Sequence, residues 1–204
     1  MQAVDVLLFD LGGVLVEWDG TTPLIALTAG RLDRENARRF WLDSPWVCRH
    51  DTGACTVEEF ARGAMEELQL DMPLAEFIAT YRSWVTGPLP GAIDLLERLS
   101  ASGRFRLASL TNNNQTHYDL ICQEMDLGHY FSQVFASHLI HCKKPDPEVY
   151  RYVTQQLDVA PERIAFFDDN AECLAPARAL GWQTFHTVGI TQLKSALQQL
   201  GALD

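Results

Sequence analysis

Residues 4–13 read VDVLLFDLGG, and this stretch decides the architecture. An apolar run rich in Val and Leu, too short for a helix, ends abruptly at Asp10 and a Gly12-Gly13 pair. That is the pattern of a buried strand followed by a tight turn. The design recurs twice. Residues 105–110 (FRLASL) run into Thr111 and three asparagines, and residues 164–167 (IAFF) run into Asp168, Asp169 and Asn170. Further strands are expected over 134–137 and 183–188. Helical patterns lie between them, over 92–101, 115–125, 147–157 and 171–180, the last stopped by Gly181 as a C-cap. Strands alternating with helices predict an α/β fold built on a doubly wound parallel sheet. Ligands of such sheets gather at the carboxyl ends of the strands, where Asp10, Thr111 and the Asp168-Asp169 pair all fall.

Residues 17–88 interrupt the alternation, offering helical patterns and no convincing strand. Thr56 and Glu59 form a capping-box signature that opens a helix over 57–68, and 73–85 is a second amphipathic stretch. The sequence Pro88-Leu-Pro-Gly91 marks the return to the sheet. The expected division is an α/β core from residues 1–16 and 89–204, with a helical cap at 17–88. An insertion that follows the first strand must emerge beside Asp10, so it covers the strand ends.

The chain has 204 residues, 47% of them hydrophobic, enough to bury a sizeable core. Its 16 Lys and Arg against 27 Asp and Glu give a formal charge of -11, so the basic footprint that nucleic acid or an anionic membrane requires is missing. Positive charge for an anionic ligand must be supplied locally. No apolar run approaches the roughly 18 residues of a membrane span, and the start lacks the marks of a signal peptide. Cytoplasmic residence is the expectation, and reduced thiols are the default for five cysteines in a chain of this length. Neither Cys48, His50 and Cys55 nor His138, His141 and Cys142 has the paired spacing of a structural zinc site.

Four pieces, in order along the chain, resemble the haloacid dehalogenase-like hydrolases: FDLGGVL at 9–15, LTN at 110–112, KKPDPEVY at 143–150 and FFDDN at 166–170. A looser likeness covers DTGACTVEEF at 51–60. The resemblance implies a Rossmann-like core, an inserted cap and phosphatase chemistry with magnesium on a small phosphorylated metabolite. The residue types fit that chemistry, because phosphoryl transfer needs a nucleophile, neutralised phosphate oxygens and a route for water. Asp10 is the expected nucleophile, forming an aspartyl-phosphate. Magnesium prefers oxygen ligands and keeps several waters, so Asp10, Asp169 and the Gly12 carbonyl would suffice to hold it. By resemblance Asp169 contacts the metal, while Asp168 holds metal-bound water or Lys144; the sequence leaves open which of the adjacent pair touches the ion. Thr111 and Asn112 are expected to donate hydrogen bonds to the phosphate, and Lys144 to supply fixed positive charge. Lys143 is expected to be a solvated neighbour.

Two departures from the family pattern matter. The second residue after the nucleophile, in most of these phosphatases an aspartate that moves the leaving-group proton, is Gly12. Slower turnover, a less basic leaving group or a substitute acid such as Glu17 or Asp19 is then expected. Sugar-1-phosphates fit the second option, and the chain resembles bacterial glucose-1-phosphate phosphatases in its Asp-Leu-Gly pattern. Cys173 stands where an asparagine or aspartate is frequent, and Asn170 either compensates by bonding to the loop or serves as a cap or turn residue. Trp41, Trp46 and Trp84 fall in the insertion, where they either stack on a sugar or pack the helices. The alternatives are a 2-haloacid dehalogenase, which needs neither acid nor magnesium, and a weakly active phosphometabolite-binding regulatory protein.

Overall fold

A computed structural model describes residues 3–203. The central sheet is formed by β1 (Val6–Phe9), β4 (Arg106–Thr111), β5 (Gln133–Ala136), β6 (Ile164–Asp168) and β7 (Gln183–His186). Two further strands, β2 (Val16–Trp18) and β3 (Val85–Pro88), pair outside it. The five-stranded sheet runs in the order β5-β4-β1-β6-β7, with every pairing parallel. β1 lies at the centre, and the chain winds first to its β4 side and then to its β6 side. The crevice where the winding reverses opens above Asp10.

Alternation along β1 and β6 explains why their sequences read as unbroken apolar runs. Leu7, Phe9, Ala165 and Phe167 face one apolar layer, with the helices Ala92–Ser102 and Gly189–Gln199. Val6, Leu8, Ile164 and Phe166 face the other, with Pro147–Leu157 and Ala171–Ala179. Both faces are covered, as a parallel sheet requires. Each fully buried Leu or Phe contributes roughly 1.5–3 kcal/mol relative to its exposed state, and Phe9 also stacks on Phe167 with ring centroids 5.2 Å apart.

Between β2 and β3 lie the helices Thr21–Leu27, Arg34–Asp43, Pro45–Asp51, Val57–Glu67 and Leu74–Arg82. They close over an apolar cluster of their own, centred on Leu24, Phe40, Phe60, Phe77, Tyr81 and Trp84. The capping box is formed: the Glu59 amide donates to Thr56 Oγ1 at 3.2 Å, and the Thr56 amide donates to Glu59 at 2.9 Å.

The expectation of no strand within 17–88 is corrected by β2 and β3. They pair antiparallel, Val16 opposite Pro88 and Glu17 opposite Gly87, with an irregularity between Glu17 and Trp18. Strands this short, one of them ending in Gly-Pro, carry no alternating pattern to read. The helix expected over 115–125 also differs. Only Gln115–Tyr118 is α-helical, and Asp119–Glu124 continues it as a wider π-helical turn.

Candidate active site

Asp10, Thr111, Asn112, Asp168 and Asp169 stand where strands of the sheet end, and Lys144 comes from the loop before the helix Pro147–Leu157. Asp10 follows β1, its amide donating to Phe167 O at 2.9 Å, and its carboxylate accepts from the Leu11 amide at 2.7 Å. The chain then folds back on itself, because the amides of Leu15 and Val16 both donate to Leu11 O, at 2.9 and 2.8 Å. Gly13 adopts φ +72°, and a Cβ there would lie 2.4 Å from Asp169 Oδ2. A side chain at 13 would therefore displace Asp169. Gly12 differs: a Cβ would meet only Trp18, at 4.0 Å.

Asp168 ends β6 and is fully buried. Lys144, 2% exposed, reaches it with Nζ 2.6 Å from Oδ2, and stands 3.1 Å from Asp10 Oδ2. Asn112 fixes the backbone of that lysine from both sides. Its Nδ2 donates to Lys144 O and its Oδ1 accepts from the Lys144 amide, each at 2.8 Å. The Asn112 side chain is thus committed to holding Lys144, and what it can offer a ligand is its backbone amide. Thr111, also nearly buried, lines the same space.

Ligand atoms of Asp10, Asp168 and Asp169 all lie within 4.8 Å of one another. Burial raises the Asp10 pKa to about 7; Lys144 opposes the rise, and Asp168 and Asp169 add to it. Asp169 is raised by burial and by Asp168. Burial disfavours the Lys144 charge, but Asp10 and Asp168 more than offset that and hold it protonated. Three carboxylates facing one ammonium leave an excess of negative charge, and a divalent cation with oxygen preference fits that donor set.

The site opens into a cavity of about 700 Å³. Its far wall comes from the helical insertion and includes Trp18, Arg34, Arg38, Trp41, Leu42 and Asp51. Of the three tryptophans singled out from the sequence, Trp41 alone lines the cavity, bonded through Nε1 to Gly20 O at 3.0 Å. Trp84 is buried in the helical cluster, and Trp46 packs over Gly63. Trp18, next to the irregularity in β2, was not foreseen.

Neither proposed substitute acid is well placed. Glu17 is exposed, accepts from Thr86 Oγ1 at 2.9 Å and lies outside the cavity wall. Asp19 lines the cavity, but its Oδ1 accepts from the amides of Thr21 and Thr22, both at 2.9 Å. Burial alone would raise its pKa; those amides and Arg34 more than offset this and lower it.

Lys143 corrects another expectation. It is largely buried and stands 3.5 Å from Asp51, so it is no solvated neighbour. No sequence signal links two residues so far apart along the chain. Asn170 acts as a helix cap, accepting from the Glu172 amide at 3.0 Å, and its own amide donates to Asp168 at 2.8 Å. Cys173 lies buried behind the acidic cluster, burial pushing its thiol up to about 12.

Similarity to known proteins extends along most of the chain. A family model described as haloacid dehalogenase-like hydrolase matches residues 4–181. The drimenol cyclase of Aspergillus calidoustus is 24% identical over 90% of this chain, which spans about a third (34%) of that protein's length. A sesquiterpene phosphatase of Aspergillus oryzae is 29% identical, the match covering 95% of this chain and 94% of the relative. Among solved structures, a HAD family enzyme of Bacteroides thetaiotaomicron, crystallised with magnesium and inorganic phosphate, superposes with a TM-score of 0.74 at 25% identity, covering 90% of this chain and 93% of that one.

Proposed function

The chain belongs to the haloacid dehalogenase-like hydrolases, and on that premise we propose that it is a magnesium-dependent phosphohydrolase of small phosphorylated metabolites, with Asp10 as nucleophile. The observation that carries this reading is the cluster of three carboxylates, two of them paired with Lys144, at the floor of the cavity. Asp10, Asp169 and the Gly12 carbonyl would hold the cation, whose charge offsets the repulsion between carboxylate and phosphate.

The chain's own groups do the rest. Lys144 and the Asn112 backbone amide, with the Thr111 hydroxyl, bind the phosphate oxygens and take up charge as the transition state forms. Asn112 keeps Lys144 on station. An Asp10 oxygen attacks phosphorus as the bond to the ester oxygen breaks, leaving an aspartyl-phosphate that water then hydrolyses. Asp168 orients the Lys144 ammonium. We take residues 17–88 as the cap that chooses the substrate, and the cytoplasm as the working compartment.

Sugar phosphates, and sugar-1-phosphates above all, are the substrates we favour. Gly12 brings no acid to the leaving oxygen, and an anomeric oxygen departs more readily than a simple alkoxide. The cavity is of the size that binds small molecules. Its apolar wall of Trp18, Trp41 and Leu42 favours a second substrate class, phosphate esters with an apolar body, in keeping with the sesquiterpene phosphatase relative. The test is phosphate release from a panel of both classes with magnesium and with EDTA, run beside halide release from 2-haloacids. Metal-dependent phosphate release is expected. Halide release that survives EDTA would reverse the assignment in favour of a dehalogenase.

A further inference from the structure

The acid missing at Gly12 leaves a chemical gap. The ester oxygen must be protonated as it departs, and the water that later attacks phosphorus must lose a proton. Every carboxyl group that lines the cavity is therefore a possible donor: Asp10, Asp19, Asp51, Asp168, Asp169 and Glu172. Asp10 and Asp168 are paired with Lys144, and Asp169 clusters with both of them. Asp19 is tied to two amides and favours its ionised form. Glu172 stands exposed in the first turn of Ala171–Ala179, on the side of the acidic cluster.

Asp51 remains. It ends the helix Pro45–Asp51, which packs against the short helix Ser137–Ile140 at the edge of the active-site cavity. Its carboxylate lines the same cavity as Asp10 and Lys144 and pairs with Lys143, the neighbour of the phosphate-binding lysine, within reach of a leaving group held in that cavity. We propose that Asp51 is the general acid and base of this enzyme, supplying from the insertion the proton that the Gly12 position cannot.

The proposal rests on the phosphohydrolase reading above and adds the proton route to it. In the first step the P–O bond to the leaving group breaks as an Asp10 oxygen bonds to phosphorus, and the Asp51 carboxyl proton passes to the ester oxygen, releasing an alcohol. In the second, a water oxygen attacks phosphorus, its proton returns to the Asp51 carboxylate, and the bond to Asp10 breaks to give phosphate. Protons balance over the cycle, and no further reactant is needed. The surroundings suit both states. Burial favours the protonated carboxyl and raises its pKa, while the Lys143 ammonium at 3.5 Å and the Asn114 amide stabilise the carboxylate left behind. Tyr81 and Cys55 are the other titratable groups that sense its charge, and burial raises both, so neither competes as an anion.

The experiment compares Asp51→Asn with wild type on 4-nitrophenyl phosphate, whose leaving group needs no acid, and on an alkyl and a sugar phosphate, whose leaving groups do. The expected result is a kcat/KM loss of about 100-fold or more on the alkyl and sugar esters, with a loss of only about threefold on the aryl ester. Asp51→Glu should recover part of the loss. An equal loss on all three substrates overturns the proposal and leaves Asp51 a positioning residue. Turnover of the aryl ester by wild type upholds the phosphohydrolase reading whichever way Asp51 falls. A wild type that hydrolyses none of the three removes both.

Discussion

Gly13→Ala probes the acidic cluster without touching any of its members. The Cβ would lie 2.4 Å from Asp169 Oδ2 and 2.8 Å from its Cγ. Ordinary carbon–oxygen contact lies nearer 3.4 Å, so the Asp169 carboxylate must retreat by about 1 Å. Alanine must also hold φ +72°, a left-handed conformation that costs roughly 1–2 kcal/mol. These two effects separate through Gly103→Ala. Gly103 adopts φ +60° with nothing within 4 Å of its Cβ, so alanine there incurs the backbone cost alone. Both variants should melt lower, by about 2–8 °C at 2–4 °C per kcal/mol for a chain of this size. Only Gly13→Ala should change the metal requirement. Moving a carboxylate by 1 Å should raise the magnesium concentration for half-maximal phosphate release about 10- to 100-fold, with most of kcat recovered at saturating magnesium. The assay is phosphate release against magnesium concentration, with thermal melting of each variant alongside. A Gly13→Ala variant with an unchanged magnesium midpoint would refute the reasoning, because Asp169 would then not be a ligand.

Further outcomes follow from the same geometry. Asp10→Asn should lower phosphate release by about 10⁴-fold or more in a steady-state assay, because the variant lacks the carboxylate oxygen that attacks phosphorus. In the metal-free protein the contribution of Asp10 to stability should fall as pH rises from about 4 to 7, read as the difference between wild type and Asp10→Asn. Asp10 is held near 7 in the folded state against 3.8 unfolded, so the unfolded chain releases its proton first; three pH units correspond to an upper bound of about 4 kcal/mol. Magnesium should reverse that trend, so its thermal shift is expected to grow between pH 5 and pH 8; a shift independent of pH would contradict the assignment. Over the same window burial lowers His50 and His117 to about 4, which acts in the opposite sense and holds stability down as pH drops below about 6.5, so the Asp10 contribution is isolated by urea titration of wild type against Asp10→Asn. Lys144→Met leaves Asp10 and Asp168 without their cation and should cost about 3–5 kcal/mol in unfolding experiments.

The strands that carry the site were legible because each is buried on both faces and ends in a break of chemistry. IAFF cannot continue into Asp168-Asp169 as apolar core, and VDVLLF cannot continue past Asp10 and two glycines. Lys144 was legible only through the order of motifs around it. What escaped the sequence is what depends on contacts distant along the chain. The Asn112 clamp on Lys144 and the Asp51–Lys143 pair join residues that no local periodicity relates. β2 and β3 escaped because an isolated three-residue pairing has no repeat to display, and Trp18 escaped with them.

That pairing has an architectural consequence. Val16, where the chain leaves the sheet domain, stands opposite Pro88, where it returns, so the seventy-odd intervening residues depart and re-enter through neighbouring doors. Closing such a loop costs little more for a long excursion than for a short one. A lineage can thus enlarge, shrink or exchange this module while the ladder from β5 to β7 stays as it is.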